Sequence, residues 1–189
     1  LPYMLDDGAV IADSTFIRFH LEQKYGVDFN AGLTPEQRGA SWAVEKMCEE
    51  HLNWSVVFDR WMVDANFYKG PVMFFQKAPA LIRPLIIAMV RKKVRRNLFG
   101  QGFGRHTAEQ IHQLAMRDID ALAAILGDKP YLMGDAPCAA DAMVFASVAS
   151  VLCTLFDTPV RTHAEGKANL VAYRDRMLAQ YFPDFRKTA

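Results

Sequence analysis

The fold of the N-terminal region is decided by the stretch Leu1-Pro2-Tyr3-Met4-Leu5-Asp6-Asp7-Gly8-Ala9-Val10-Ile11-Ala12-Asp13-Ser14. Two short apolar runs flank the turn sequence Asp6-Asp7-Gly8, a pattern that predicts a β-hairpin. Asp13 and Ser14 are both good caps for the free N–H groups of a helix, so we expect a helix to begin here and to end at Gly26. Two strands alone are marginally stable in water, and the rest of the sequence offers no further strand. The N-terminal region therefore has α/β character, and we expect its two strands to be part of a larger sheet.

The remainder of the sequence carries the signals of an all-helical domain. Thr34 and Gln37 form a capping pattern at the start of a long helix, and Thr107 and Gln110 form a second one. A nearly all-apolar segment after residue 138 suits the centre of a helical bundle. The prolines and glycines between residues 72 and 105 predict short helices and a loop there. Four main helices are predicted, over residues 34–68, 107–126, 139–156 and 169–180.

Composition excludes several classes of protein. The chain has 189 residues, of which 51% are hydrophobic, and its formal net charge is only +1. These values exclude intrinsic disorder, and the balanced charge argues against nucleic-acid binding. Three cysteines without close pairing favour a reducing, cytoplasmic location over a disulfide framework. His51 beside Glu49 and Glu50 lacks a second ligand at suitable spacing, so no metal site is predicted.

Three sets of residues together resemble the glutathione transferase superfamily. The pattern from Leu1-Pro2-Tyr3-Met4 to Ile11-Ala12-Asp13-Ser14 is similar to the family's proline, turn and acidic-residue–Ser motif. A loop and capping box before a buried helix, similar to the family's, run from Lys129 to Ala142. The failed-axon-connections and metaxin-like branch is indicated by three further stretches, at residues 49–54, 60–61 and 102–107. The resemblance implies the C-terminal part of a thioredoxin-like domain (residues 1–26), a linker (27–33) and an all-α domain (34–189).

This resemblance implies a glutathione site made by Leu1, Pro2, Asp13 and Ser14. If Pro2 is the family's cis-proline, the exposed backbone of Leu1 pairs with the cysteinyl part of glutathione. Ser14 at a helix N-terminus offers its hydroxyl and free N–H groups to a carboxylate, and Asp13 holds an ammonium group. Carboxylate and ammonium on one carbon are what the γ-glutamyl end of glutathione presents. The alternative is that Asp13 and Ser14 only cap the helix.

The implied activity is conjugation of glutathione to a small hydrophobic electrophile, or glutathione-dependent reduction, by a homodimer. In the family, the Tyr, Ser or Cys that activates the thiol lies in the first half of the thioredoxin-like domain. The resemblance begins after this half, so we expect a preceding strand–helix–strand in the complete protein, and the catalytic residue is unknown. The alternative function is a non-catalytic, metaxin-like interaction or membrane-associated protein, because a fold does not fix a function.

Four further features remain, and two of them, the aromatic face and the basic run, are open to two interpretations. Trp54, Phe58 and Trp61 share one helix face, which either lines a substrate pocket or packs in the core or a dimer interface; we favour packing. Cys138 replaces the Ser or Thr of the family's capping box, which weakens one side of the cap. Cys48 and Cys153 are expected to be buried thiols. The basic run Arg91-Lys92-Lys93-Val94-Arg95-Arg96 is either a solvated helix face with acidic neighbours, which we favour, or a membrane-surface segment.

Overall fold

The computed structural model describes residues 2–184, which form a small β-hairpin attached to a helical body. The hairpin consists of β1 (Tyr3–Asp6) and β2 (Ala9–Ala12), and α1 (Ser14–Tyr25) follows it directly. The body contains α2 (Pro35–Met47), α3 (Asn53–Met62), α4 (Asp64–Lys69), α5 (Arg83–Gln101), α6 (Ala108–Leu126), α7 (Ala139–Val151), α8 (Pro159–Glu165) and α9 (Ala168–Tyr181). This arrangement confirms the predicted fold class, a fragment of α/β character followed by an all-α body.

The hairpin forms where the turn sequence predicts it. β1 and β2 pair antiparallel with Tyr3 opposite Ala12 and Asp6 opposite Ala9. Asp7 and Gly8 both have positive φ, 47° and 81°, as a tight two-residue hairpin turn requires. Within residues 2–184 these are the only two strands, so the described chain adds no third strand to the sheet.

The predicted helix over residues 34–68 begins as expected but is divided. Both bonds of the capping box are present, from the Gln37 N–H to the Thr34 hydroxyl and from the Thr34 N–H to the Gln37 side chain. One π-helical turn, Cys48–Leu52, separates α2 from α3. The helix then ends at Met62, and Arg91 donates to the carbonyl oxygens of Trp61 and Met62, which the helix end leaves without an intrahelical partner.

The expectation of short helices and a loop between residues 72 and 105 is wrong for most of that region. A 3₁₀ turn (Pro71–Phe75) is followed by α5, which is 19 residues long. Pro84 is its second residue, where the missing N–H is not needed, and Gly100 lies in its last turn. The helix ends only at Gly102, whose φ of 125° is unfavourable for other residues.

The main core cluster takes side chains from α6 and α7 and from α2, α8 and α9, each of which packs against one or both of these helices. A second, smaller cluster joins α3, α5 and α6. The apolar helix α7 ends at Val151 instead of the predicted Phe156, because the following loop is held elsewhere: Asn66 exchanges two hydrogen bonds with the backbone of Asp157. Thr158 then caps α8, a helix that the sequence did not predict. The main cluster includes Ala115, Ile119, Leu122, Ala140, Val144 and Val148.

Candidate functional site

Asp13, at the junction of β2 and α1, holds a strained backbone. Its φ is 78° and its ψ 132°, a combination that residues with a side chain rarely adopt. Three hydrogen bonds fix it there: its N–H donates to the Pro2 carbonyl (3.0 Å), its carbonyl accepts from the Ile17 N–H (2.9 Å), and its Oδ1 accepts from the Thr15 N–H (2.9 Å). Strain of this kind is worth on the order of 1–3 kcal/mol and concentrates at functional sites.

Ser14 is the first residue of α1 and is exposed. Its hydroxyl has no hydrogen-bond partner among residues 2–184, so it is open to a ligand from solvent. Ser14 therefore stands at the N-terminal end of a 12-residue helix, the end at which the helix dipole is positive. The cap of the helix is supplied by Asp13, not by Ser14. The predicted capping role thus falls to Asp13, and the ligand role of both residues stays a prediction.

The structure brings three of the four predicted glutathione residues together. Pro2 is exposed, and the bond from Asp13 to its carbonyl places it beside the start of α1. Leu1 lies outside the described residues, and so does the peptide bond that precedes Pro2. The glutathione role of all four residues stays a prediction.

A groove of about 450 Å³ runs between α1 and α7, with Ser14 and Thr15 at its rim. An ion pair borders the groove: Arg18 Nη1 lies 2.7 Å from Glu45 Oε2, with the side chains only 16% and 7% exposed. Lys46 Nζ donates to the Thr15 hydroxyl (3.2 Å) and so ties α2 to the same end of α1. Sequence reasoning missed these contacts because their partners lie about 30 residues apart. The apolar part of the lining is formed by Ile17, Leu21, Phe29, Ala142, Met143 and Ala146.

The aromatic face of α3 packs inside the protein, as we favoured. Trp54 and Phe58 lie against the second core cluster, and Trp61 contacts the rings of Phe67 and Phe74 at centroid distances of 5.9 and 6.4 Å. None of the three lines the groove beside Ser14.

The thiols differ in their surroundings. Cys48 is fully buried, and burial raises the pKa of its thiol to about 12. Burial also raises the pKa of the Cys138 thiol. Cys153 is only half-buried, so the expectation of a buried thiol is wrong for this residue. At neutral pH Cys48 and Cys138 are protonated and are therefore poor nucleophiles.

His51 is held by a polar contact with Asp118 and by a ring contact with Phe103. Its Nδ1 lies 2.5 Å from Asp118 Oδ2, and its ring meets Phe103 edge-on. Burial raises the pKa of the Asp118 carboxyl, and the hydrogen bond with His51 partly offsets this increase.

Across residues 2–184, no three His, Cys, Asp or Glu side chains are grouped closely enough to hold a metal ion. No helix in the same range combines the length and apolar character needed to cross a bilayer.

Two family models match the chain, the glutathione S-transferase N-terminal domain over residues 1–66 and the glutathione S-transferase C-terminal domain over residues 115–177. An isoprene-epoxide–glutathione S-transferase of Rhodococcus sp. (strain AD45) is 32% identical over 189 residues, which cover 96% of this chain and 77% of that protein. Failed axon connections of Drosophila melanogaster is also 32% identical, with 98% and 47% covered. Metaxin-1 of Mus musculus is 28% identical, with 94% and 58% covered.

The chain thus spans only about half the length of the latter two relatives, but three quarters of the first. No solved structure matches significantly. The similarity to the Rhodococcus protein over 96% of this chain and both domain matches agree with the hairpin-plus-helices fold. The chain belongs to the glutathione S-transferase superfamily, in the branch that includes failed axon connections and the metaxins.

Proposed function

We propose that this protein binds glutathione as a co-substrate at the start of α1 and conjugates it to, or uses it to reduce, a small hydrophobic electrophile. The observation that carries the proposal is the strained backbone of Asp13 beside the exposed Ser14. A residue that only caps a helix needs no positive φ, since caps ordinarily have extended backbone. The strain therefore favours positioning of the Asp13 carboxylate for a ligand over simple capping.

Asp13 and Ser14 at the start of α1, which we call the corner, match the chemistry of the γ-glutamyl end of glutathione. The Ser14 hydroxyl and the N-terminal end of α1 suit a carboxylate. The Asp13 carboxylate suits the neighbouring ammonium group through a charge-assisted hydrogen bond. None of residues 2–184 is assigned the role of activating the glutathione thiol. The proposal includes a homodimer in the cytoplasm, which light scattering and cell fractionation test.

Calorimetric titration of the protein with glutathione tests the binding step. Asp13→Asn keeps the size and backbone tolerance of the residue but removes its charge, and we expect it to weaken binding about 10- to 100-fold. Cysteinylglycine, which lacks the γ-glutamyl group, should not bind. The matched control is Asp28→Asn, because Asp28 also accepts the N–H two residues ahead, at 2.9 Å, but lies outside the corner. Equal binding by Asp13→Asn and Asp28→Asn would refute the site.

The reaction is tested with a small epoxide, since a relative is named for conjugating glutathione to isoprene epoxide. Loss of free thiol in the presence of protein, glutathione and epoxide supports the transferase proposal. Binding of glutathione without loss of thiol from any electrophile tested would favour the alternative, a non-catalytic interaction protein.

A further inference from the structure

The charge of this chain is strongly segregated. Residues 65–108, which we call the basic pole, contain nine Lys and Arg and no Asp or Glu. The rest of the chain contains 13 basic and 21 acidic residues. The overall charge of +1 thus hides one strongly positive region on an otherwise negative molecule. In the structure the basic pole comprises most of α4, the 3₁₀ turn and α5.

Most positive charges on α5 are not neutralised within the protein. Arg91 pairs with Asp64 at 2.6 Å. Lys92, Lys93, Arg95 and Arg96 are exposed and form no ion pair with any residue from 2 to 184. The favoured expectation, a basic face paired with acidic neighbours, therefore holds only for Arg91.

The same face of α5 also exposes large apolar side chains. Leu85, Met89, Lys92, Arg96 and Phe99 follow one another at intervals of three or four residues, which places them on one side of the helix. The opposite side, with Val94 and Leu98, packs into the second core cluster. Just before the helix, the Leu81 side chain is 93% exposed, and Leu85 is 68% exposed. The outer face thus combines unpaired cations with exposed apolar side chains, of which Phe99 also meets the Arg105 guanidinium, 5.3 Å from its ring centre.

We propose that the basic pole docks on an anionic lipid surface. Leucine, methionine and phenylalanine side chains can enter the boundary between headgroups and acyl chains, while Lys and Arg reach back to the phosphates. The negative remainder of the chain is repelled by the same surface, which orients the molecule with α5 toward the lipid.

Two other occupants fit less well. A second copy would place the same patch on both sides of a two-fold interface, so the cations of α5 would face one another. A nucleic acid would pair with the cations but would leave Leu81, Leu85 and Met89 without an apolar environment. A lipid surface accommodates both features.

Flotation with vesicles tests the proposal. We expect the full chain to float with vesicles of phosphatidylcholine containing phosphatidylserine at 50 mM NaCl, to bind far less at 500 mM, and not to float with phosphatidylcholine alone. Lys92→Gln/Arg96→Gln should lower the affinity roughly thirty-fold. The matched control is Arg117→Glu, an exposed residue of α6 without an ion-pair partner in residues 2–184, which changes the charge by the same amount. Its affinity for the vesicles should stay within about twofold of that of the unmodified protein, because salt screens the interaction of a distant surface charge with the lipid.

The apolar part is tested by Leu85→Asn/Met89→Asn, which leaves every cation in place. Both side chains are exposed, so the fold is retained, and we expect at least a tenfold loss of vesicle binding. Unchanged binding by this variant, together with retention of the protein on RNA, would show a general polyanion site and overturn the proposal. Failure to float at 50 mM NaCl would overturn it as well. Asp13→Asn should float normally, which separates this proposal from that of the glutathione site.

Discussion

At the scale of single residues, the backbone conformation of Asp13 is one that a residue with a side chain rarely adopts. A φ of 78° suits glycine, yet the chain carries aspartate there. Hydrogen bonds to Pro2, Thr15 and Ile17 hold the conformation from both sides. Because the cap does not need the backbone strain, we infer that the strain positions the Asp13 carboxylate for a ligand.

The strain at Asp13 predicts that two small substitutions differ in their effect on stability. Asp13→Gly relieves the strain and gives up the bond to the Thr15 N–H, whereas Asp13→Ala gives up the bond and keeps the strain. We expect the free energy of unfolding of Asp13→Gly to exceed that of Asp13→Ala by about 1 kcal/mol, measured in urea. Both variants should lose glutathione affinity. Equal stability of the two variants would remove the argument from strain.

At the scale of elements, the hairpin is tied to α1 mainly by Asp6. Its carboxylate accepts hydrogen bonds from Lys24 Nζ (2.6 Å) and Tyr25 Oη (2.8 Å) and contacts His20 Nε2 (2.6 Å). The bond from Lys24, followed by those from His20 and Tyr25, holds the pKa of the Asp6 carboxyl well below its ordinary value of 3.8. The last residue of β1 therefore connects the hairpin to the helix that carries the candidate site.

A lowered carboxyl pKa sets the direction of a pH effect. The contribution of the Asp6 carboxylate to stability is complete above the unfolded-state pKa of 3.8. This contribution is lost as the pH falls below 3.8 toward the lower folded-state pKa. We therefore expect the difference in melting temperature between the unmodified protein and Asp6→Asn to shrink as pH is lowered from 5 to 2. Asp7→Asn is the matched control, since the Asp7 carboxylate accepts from Lys24 at the exposed turn. A difference that stays constant over this range would contradict the role of the Asp6 charge.

The start of α7 depends on a buried carboxylate. Asp141 accepts hydrogen bonds from the N–H groups of Leu132 (2.9 Å) and Cys138 (2.8 Å) and from the Tyr173 hydroxyl (2.8 Å). The bond to the Cys138 N–H supplies the half of the cap that the thiol does not weaken. The same carboxylate thereby joins the preceding loop, α7 and α9.

Removing one of these donors leaves the buried carboxylate short of a hydrogen bond. We expect Tyr173→Phe to lower the free energy of unfolding by about 1–3 kcal/mol, measured in urea. Tyr131→Phe is the control, because the Tyr131 hydroxyl bonds Gln180 at the surface (2.6 Å), and its loss should cost under about 0.5 kcal/mol. Similar losses for the two variants would show that the network around Asp141 contributes no more than a surface contact.

These elements show which features the sequence could predict. The caps at Thr34 and Thr107 and the hairpin turn at Asp7-Gly8 involve residues within four positions of one another, so local pattern was sufficient. The ends of α3 and α7 depend on Arg91 and Asn66, which lie far along the chain, and the sequence did not place them. In the site, the position of Asp13 and Ser14 before a helix predicted capping, and the resemblance to the family indicated their ligand role. The strain at Asp13 and the Arg18–Glu45 pair arise from tertiary contacts and were not.

At the scale of the whole molecule, the two proposed surfaces lie on the helices with the fewest buried residues in the described chain. α1 has no fully buried residue, and α5 has one, Leu98. The central helices α6 and α7 have six each. Ligand-binding elements are commonly drawn from the less stable parts of a fold, because their backbone hydrogen bonds open without unfolding the core. Both surfaces can therefore respond to a ligand while the bundle stays intact.

Hydrogen exchange measured by mass spectrometry tests this division. We expect amides of α6 and α7 to exchange slowest, and those of α1 and of residues 83–93 in α5 to exchange fastest among the helices. Glutathione should slow exchange in α1 and not in α5, while anionic vesicles should do the reverse, because each ligand stabilises only the element that it contacts. Exchange in α5 as slow as in α7 would contradict the stability order. Protection of both elements by either ligand would show that the two surfaces are coupled through the bundle rather than independent.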